Sequence, residues 1–144
     1  MSNNVDTILV GAGQNAECYA KVLAFLKLPT IVVTRGKDKA NKFKKANTSF
    51  EVLHGGIEKY VSSYNIPTNA IVSTNIDSLY DITVLLIQSG VKNILVEKPV
   101  ALYEDKIKDL VNLSIKEDCN IFVALNRRSY SSIRYVKENI IKDG

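Results

Sequence analysis

Short β-branched apolar runs that alternate with helical patterns constrain this chain more than any other feature. The runs occupy residues 5–10, 30–34, 69–73, 93–96 and 121–125. Each has the length and composition of a parallel strand buried on both faces. Between them, apolar residues recur at helical spacing: Ala16, Tyr19, Ala20 and Leu23, then Ile57, Tyr60, Val61 and Tyr64. Residues 77–89 are apolar on more than one face and predict a well-covered helix. Residues 104–118 carry Ile107, Leu110, Val111 and Ile115 on one stripe, and 131–142 carry Ile133, Val136, Ile140 and Ile141. Strand, helix, strand, repeated end to end, predicts βαβ units in an α/β, doubly wound, mainly parallel sheet. Residues 49–53 fit a short edge strand.

A chain of 144 residues suits one domain. No apolar run approaches the ~20 residues of a membrane span, and the N-terminus lacks the basic start of a secretory signal. Cys18 and Cys119 form neither a CxxC pair nor a disulfide framework. The expectation is a cytoplasmic chain with free thiols and no membrane partner. The formal net charge of +4 comes from one place, residues 35–45, where six basic side chains meet one acidic one. The remainder is near neutral, which argues against nucleic acid and for a local anionic partner or none.

The first run leads directly into Gly11-Ala12-Gly13-Gln14-Asn15-Ala16 and then a helix. GxGxxA between a strand and a helix is a dinucleotide-binding fingerprint. Gly11 suits the tight turn, Gly13 admits a pyrophosphate close to the backbone, and Ala16 lets helix pack on strand. The unpaired N–H groups at the helix start, from Gln14 and Asn15 onward, then face the anion. The fold expected is therefore Rossmann-type.

An NAD site of this kind places an acid at the end of the second strand for the ribose hydroxyls. Here that position reads Thr34-Arg35-Gly36. A guanidinium meets a 2′-phosphate with a charge-assisted fork, and a threonine hydroxyl adds a bond. NADP is expected, with NAD as second choice. Asp38 lies past the glycine and is expected to cap a helix. Lys42, Lys44 and Lys45 read as a solvated face.

After the strand at 93–96 come Glu97, Lys98 and Pro99. With GAGQNA at 11–16, Thr34-Arg35, Ser73-Thr74, Gly90, VEKP at 96–99 and VALNRRSY at 123–130, nearly the whole chain resembles the N-terminal domain of the glucose–fructose oxidoreductase / inositol dehydrogenase (Gfo/Idh/MocA) family. GxGxxA alone is common; with EKP at this separation it is much more specific. The resemblance implies an NAD(P)-dependent oxidoreductase acting on a sugar, sugar derivative or cyclitol. It implies cofactor contacts from Thr74, Asn75, Glu97 and Asn126, and a catalytic role for Lys98 beside the nicotinamide, with a lysyl–proline bond that is often cis. An ammonium there stabilises a developing alkoxide and relays a proton.

The chain departs from the family pattern in three respects. Thr74 is followed by Asn75 where Thr-Pro is common, and Leu79 stands where a histidine is common. The family's second α/β domain, which supplies most substrate contacts, has no counterpart in these residues. Residues 1–125 are thus expected to form the dinucleotide-binding domain, and 126–144 a connector toward an absent substrate domain. The sugar-like partner would be reached through that domain, and homo-oligomers remain compatible with the sequence. The alternatives are a stand-alone NAD(P) sensor without chemistry, a methyltransferase (Asn15 replaces its usual glycine), and a nucleic-acid module. His54 reads as a loop residue, Arg127 and Arg128 as a connector, and no cluster proposes a metal. The seven tyrosines are expected mostly on helix core stripes.

Overall fold

The parity of successive side chains in the first strand divides the core in two. In a computed structural model, which describes residues 5–143 (side chains through 140), β1 spans Thr7–Val10. Ile8 and Val10 enter one apolar cluster and Leu9 enters the other, as the period of two demands. The remaining strands are β2 (Thr30–Thr34), β3 (Glu51–His54), β4 (Asn69–Val72), β5 (Asn93–Val96) and β6 (Asn120–Val123). All pair in parallel in one six-stranded sheet of order β3-β2-β1-β4-β5-β6. The chain is one α/β Rossmann-type domain with a doubly wound sheet, as the alternating pattern predicts.

The helices are α1 (Gln14–Phe25), α2 (Lys37–Ala46), α3 (Gly56–Ser63), α4 (Ile76–Gln88), α5 (Glu104–Lys116) and α6 (Ser131–Asp143), with a 3₁₀ turn at Asn126–Ser129. One face of β1 and β2 packs under α1 and α2, where Leu9, Ala16, Ala20, Leu23, Val32 and Phe43 form the smaller cluster. The larger cluster lies on the opposite face under α3, α4 and α5, and includes Ile57, Leu79, Leu86, Ile94 and Leu110. Small Ala16 and Ala20 let α1 sit close to β1, the packing role expected of the alanine in GxGxxA.

Several expectations shift at the margins. Val5 precedes β1 rather than opening it, and β6 begins one residue earlier and ends two earlier than the run at 121–125. The expected edge strand exists as β3, and it takes in His54, which pairs beside Thr34 rather than standing in a loop. Of the stripe on α5 only Leu110 is buried, and Ile115 is 75% exposed. The register row Val32, Leu9, Ile71, Leu95 and Phe122 crosses the sheet. It runs from 0% exposure at Val32 and Leu9 to 57% at Phe122, because no described helix covers that face of β6. Tyr64, Tyr103, Tyr130 and Tyr135 are exposed, so the tyrosines do not mostly line the core. On α6, Ile133, Val136 and Ile140 are exposed, and the side chain of Ile141 lies outside the described residues, as do Met1–Asn4 and Gly144.

Lys44 is not simply a solvated residue. Its Nζ donates to the carbonyls of Thr48 (3.2 Å) and Phe50, tying the last turn of α2 to the entry of β3.

Candidate functional site

The backbone ladder continues past the carboxyl ends of the central strands and holds their turns level. Gly11 N–H donates to the Val33 carbonyl (2.9 Å), Ser73 N–H to Val10 (2.8 Å) and Glu97 N–H to Val72 (3.0 Å). In a parallel sheet this end, at the switch between β1 and β4, is where a crevice opens. A cavity of about 690 Å³ lies there.

Its walls come largely from three strand ends. The β1–α1 turn contributes Gly11, Gly13, Gln14 and Asn15; the β2 end contributes Thr34 and Arg35; the β4 end contributes Ser73, Thr74 and Asn75. Eight sequence-predicted residues therefore meet in one cavity, with Ala16 buried behind them. Gly11 adopts φ +125°, and a Cβ there would stand 2.0 Å from the Ser73 carbonyl oxygen. Gly13 has an ordinary φ of −93° as the N-cap of α1, with no side chain capping the helix. A Cβ on Gly13 would meet nothing within 4 Å. The first turn of α1 thus offers unpaired N–H groups across open space, the arrangement that receives an anion.

Two further observations fit a polar ligand. The hydroxyls of Ser73 and Thr74 are buried and lack a hydrogen-bond partner among the described residues. An unsatisfied buried hydroxyl costs about 1–3 kcal/mol, so both are suited to a nucleotide's polar groups. Thr34 is buried and Arg35 exposed at the cavity edge. The Arg35 guanidinium approaches Glu58 of α3, Nη2 to Oε1 at 3.6 Å. Asp38 does not cap α2: Gly36 holds the N-cap position and Asp38 lies in the first turn.

The remaining predicted residues lie outside this cavity's lining. Glu97, Lys98 and cis-Pro99 follow β5, with Lys98 exposed, and Asn126 opens the exposed 3₁₀ turn with Arg127 and Arg128. Glu97 is tied to the cavity side of the fold through Tyr19 on α1, whose hydroxyl donates to Oε1 at 2.7 Å. Burial first, and then this bond, raise the Tyr19 phenol well above its ordinary range. The sequence pattern placed Tyr19 only on a helix stripe and gave no signal for this bond, since 78 residues separate the partners. Ser73 entered the sequence reading only within the motif that carries the family resemblance and not as a site residue; Glu58 was not singled out.

Tyr19→Phe removes a bond to a charged acceptor, and the expected loss is about 1–2 kcal/mol at neutral pH. The phenol's folded pKa exceeds its unfolded one, so its contribution is complete below about pH 10 and falls as pH rises further. Urea midpoints of parent and variant should therefore converge above pH 10. A constant gap from pH 8 to 11 would remove the titration from this phenol.

A parallel sheet in this order, with a glycine turn and an unpaired helix start at its switch point, defines the dinucleotide-binding Rossmann class. The sequence model of the oxidoreductase family GFO_IDH_MocA, NAD-binding Rossmann fold, matches residues 5–125, and the chain belongs to that family. No curated protein matches. Among solved structures, the chain is similar to the WlbA dehydrogenase of Bordetella pertussis, in complex with NADH and UDP-GlcNAcA. There the TM-score is 0.85 and identity 15%, over 96% of this chain and 42% of that one. It is also similar to UDP-N-acetylglucosamine 3-dehydrogenase GnnA of Acidithiobacillus ferrooxidans (TM-score 0.78, 16% identity, 92% and 41% covered). A third is biliverdin reductase of a Synechocystis species, in complex with biliverdin and NADP+ (0.83, 17%, 98% and 44%). The chain spans about 41–44% of the length of these proteins. No described helix is long and apolar enough to cross a membrane. Among the described residues no group of three His, Cys, Asp or Glu could hold a metal ion.

Proposed function

We propose that the chain binds NADP(H) in the cavity above β1, β2 and β4 and serves as the cofactor half of an oxidoreductase acting on a sugar, sugar derivative or cyclitol. One observation carries the reading. A single cavity joins the glycine turn, the buried unpartnered hydroxyls of Ser73 and Thr74, and a guanidinium at the end of β2. The amides of Gln14, Asn15 and Ala16 hold the pyrophosphate, with Gly11 and Gly13 keeping the approach clear. Thr34 and Arg35 read the 2′-phosphate. Thr74 and Asn75 line the path toward Glu97, whose carboxylate Tyr19 orients. Asn126, at the start of the 3₁₀ turn, would contact the nicotinamide end, as the family resemblance implies.

The bound nicotinamide supplies the hydride acceptor or donor. Lys98, exposed just past the carboxyl end of β5, would act on the reacting hydroxyl, stabilising developing charge on its oxygen as an ammonium or, as the neutral amine, taking its proton. By the family resemblance, most substrate contacts would come from a second domain. Of the three similar structures named above, two carry names of enzymes or ligands of the nucleotide-sugar kind, which supports a sugar-type substrate class.

Fluorescence or calorimetric titration tests the cofactor. NADPH is expected to bind at least about tenfold more tightly than NADH. Arg35→Ala should weaken NADPH by roughly 10–100-fold, the worth of a charge-assisted fork, and leave NADH nearly unchanged. Equal affinity of the parent for both nucleotides would overturn the NADP assignment.

A further inference from the structure

Arg35 does not stand alone at the cavity edge. The β2–β3 pairing sets Thr34 beside His54, and the Gly55 N–H donates to the Arg35 carbonyl at 3.1 Å. The Gly55-Gly56 turn therefore begins α3 alongside Arg35, and Gly56 and Ile57 join Arg35 in lining the cavity. Glu58 follows in the first turn of α3. Its carboxylate folds back over the turn, with Oε2 2.6 Å from where a Cβ on Gly56 would stand, while Oε1 lies 3.6 Å from Arg35 Nη2. Both side chains are well exposed, so the pair contributes little to folding and is free to rearrange.

We infer that Glu58 is a specificity-determining residue that opposes Arg35 at the adenosine ribose. The inference rests on the cofactor reading given above. A 2′-phosphate entering beside Arg35 meets a carboxylate already engaging that guanidinium. It must displace the ion pair and remain near a like charge, and both effects weaken NADPH. A ribose bearing a free 2′-hydroxyl meets the opposite situation, because a carboxylate accepts hydrogen bonds from ribose hydroxyls. Glu58 supplies from α3 the acid that the end of β2 lacks. The site therefore accepts both nucleotides, and its preference for NADP(H) is narrower than Arg35 by itself would set.

Glu58→Gln keeps the side chain's size and removes its charge. Titrations of parent and variant with NADPH and NADH, with thermal melts confirming equal folding, form the test. The variant should bind NADPH about three- to tenfold more tightly and NADH no better or more weakly, widening the NADPH:NADH ratio. Glu58→Ala should widen it in the same direction. A ratio unchanged in both variants, while the parent binds NADPH, overturns the role of Glu58 and leaves the cofactor reading standing. Failure of the parent to bind either nucleotide overturns that reading, and this inference with it.

Discussion

Gly11→Ala is expected to unfold much of the population or lower the melting temperature sharply. Gly11 adopts φ +125°, where an L side chain is strained, and its Cβ would lie 2.0 Å from the Ser73 carbonyl oxygen. The obstacle is main chain, held by the ladder bond from Ser73 N–H to the Val10 carbonyl, so no rotamer change relieves it. Backbone strain of this kind costs about 1–3 kcal/mol. Separating β1 from β4 to make room adds a loss of packing between central strands. A total of at least about 4 kcal/mol is a large share of the 5–15 kcal/mol typical of a domain. It corresponds to a drop of roughly 10–15 °C. Calorimetric or circular-dichroism melts measure it, and a loss below about 1 kcal/mol would show that the two strand ends are not packed as described.

Gly13→Asp is expected to have the reverse profile. Gly13 has ordinary extended dihedrals and nothing within 4 Å of a built Cβ. It occupies the N-cap of α1, where aspartate is at least as good as glycine. The melting temperature should hold or rise slightly. The added carboxylate, however, occupies the approach to the α1 amides and repels a diphosphate. Affinity for NADPH and NADH should both fall by about two orders of magnitude or more, close to 3 kcal/mol. Unchanged binding would place the pyrophosphate elsewhere. Two residues apart in one turn, the glycines thus separate stability from binding: one has no room behind it, the other has deliberate room in front.

The layered α/β fold was legible because central parallel strands, buried on both faces, leave unbroken apolar runs. The pattern weakened where that cause weakens. β6 has one neighbour and an exposed Phe122, and its limits moved relative to the apolar run. On α5, the periodicity of Ile107, Val111 and Ile115 was real, yet all three are exposed, and the helix meets the core through Leu110 and Leu113. Periodicity reports a face, not whether anything covers it. At the site, local chemistry was legible: the glycine turn, Thr34-Arg35 and the hydroxyl after β4 all converge on one cavity. Contacts set by topology were not. Tyr19 reaches Glu97 and Glu58 reaches Arg35 only because the strand order brings distant elements together. Asp38 shows the complementary error, since a capping side chain in the right neighbourhood stands two positions past the N-cap, which Gly36 holds.

The strand order β3-β2-β1 also divides labour along one rim. In the proposed reading the diphosphate grip belongs to the β1–α1 turn, where Gly11 lies against the end of β4. The residues proposed to distinguish the two nucleotides lie on exposed positions of neighbouring elements, one past β2 and one opening α3. On that reading, exchanging side chains at 35 and 58 would retune coenzyme preference, in a lineage or at the bench, without disturbing the architecture proposed to receive the dinucleotide.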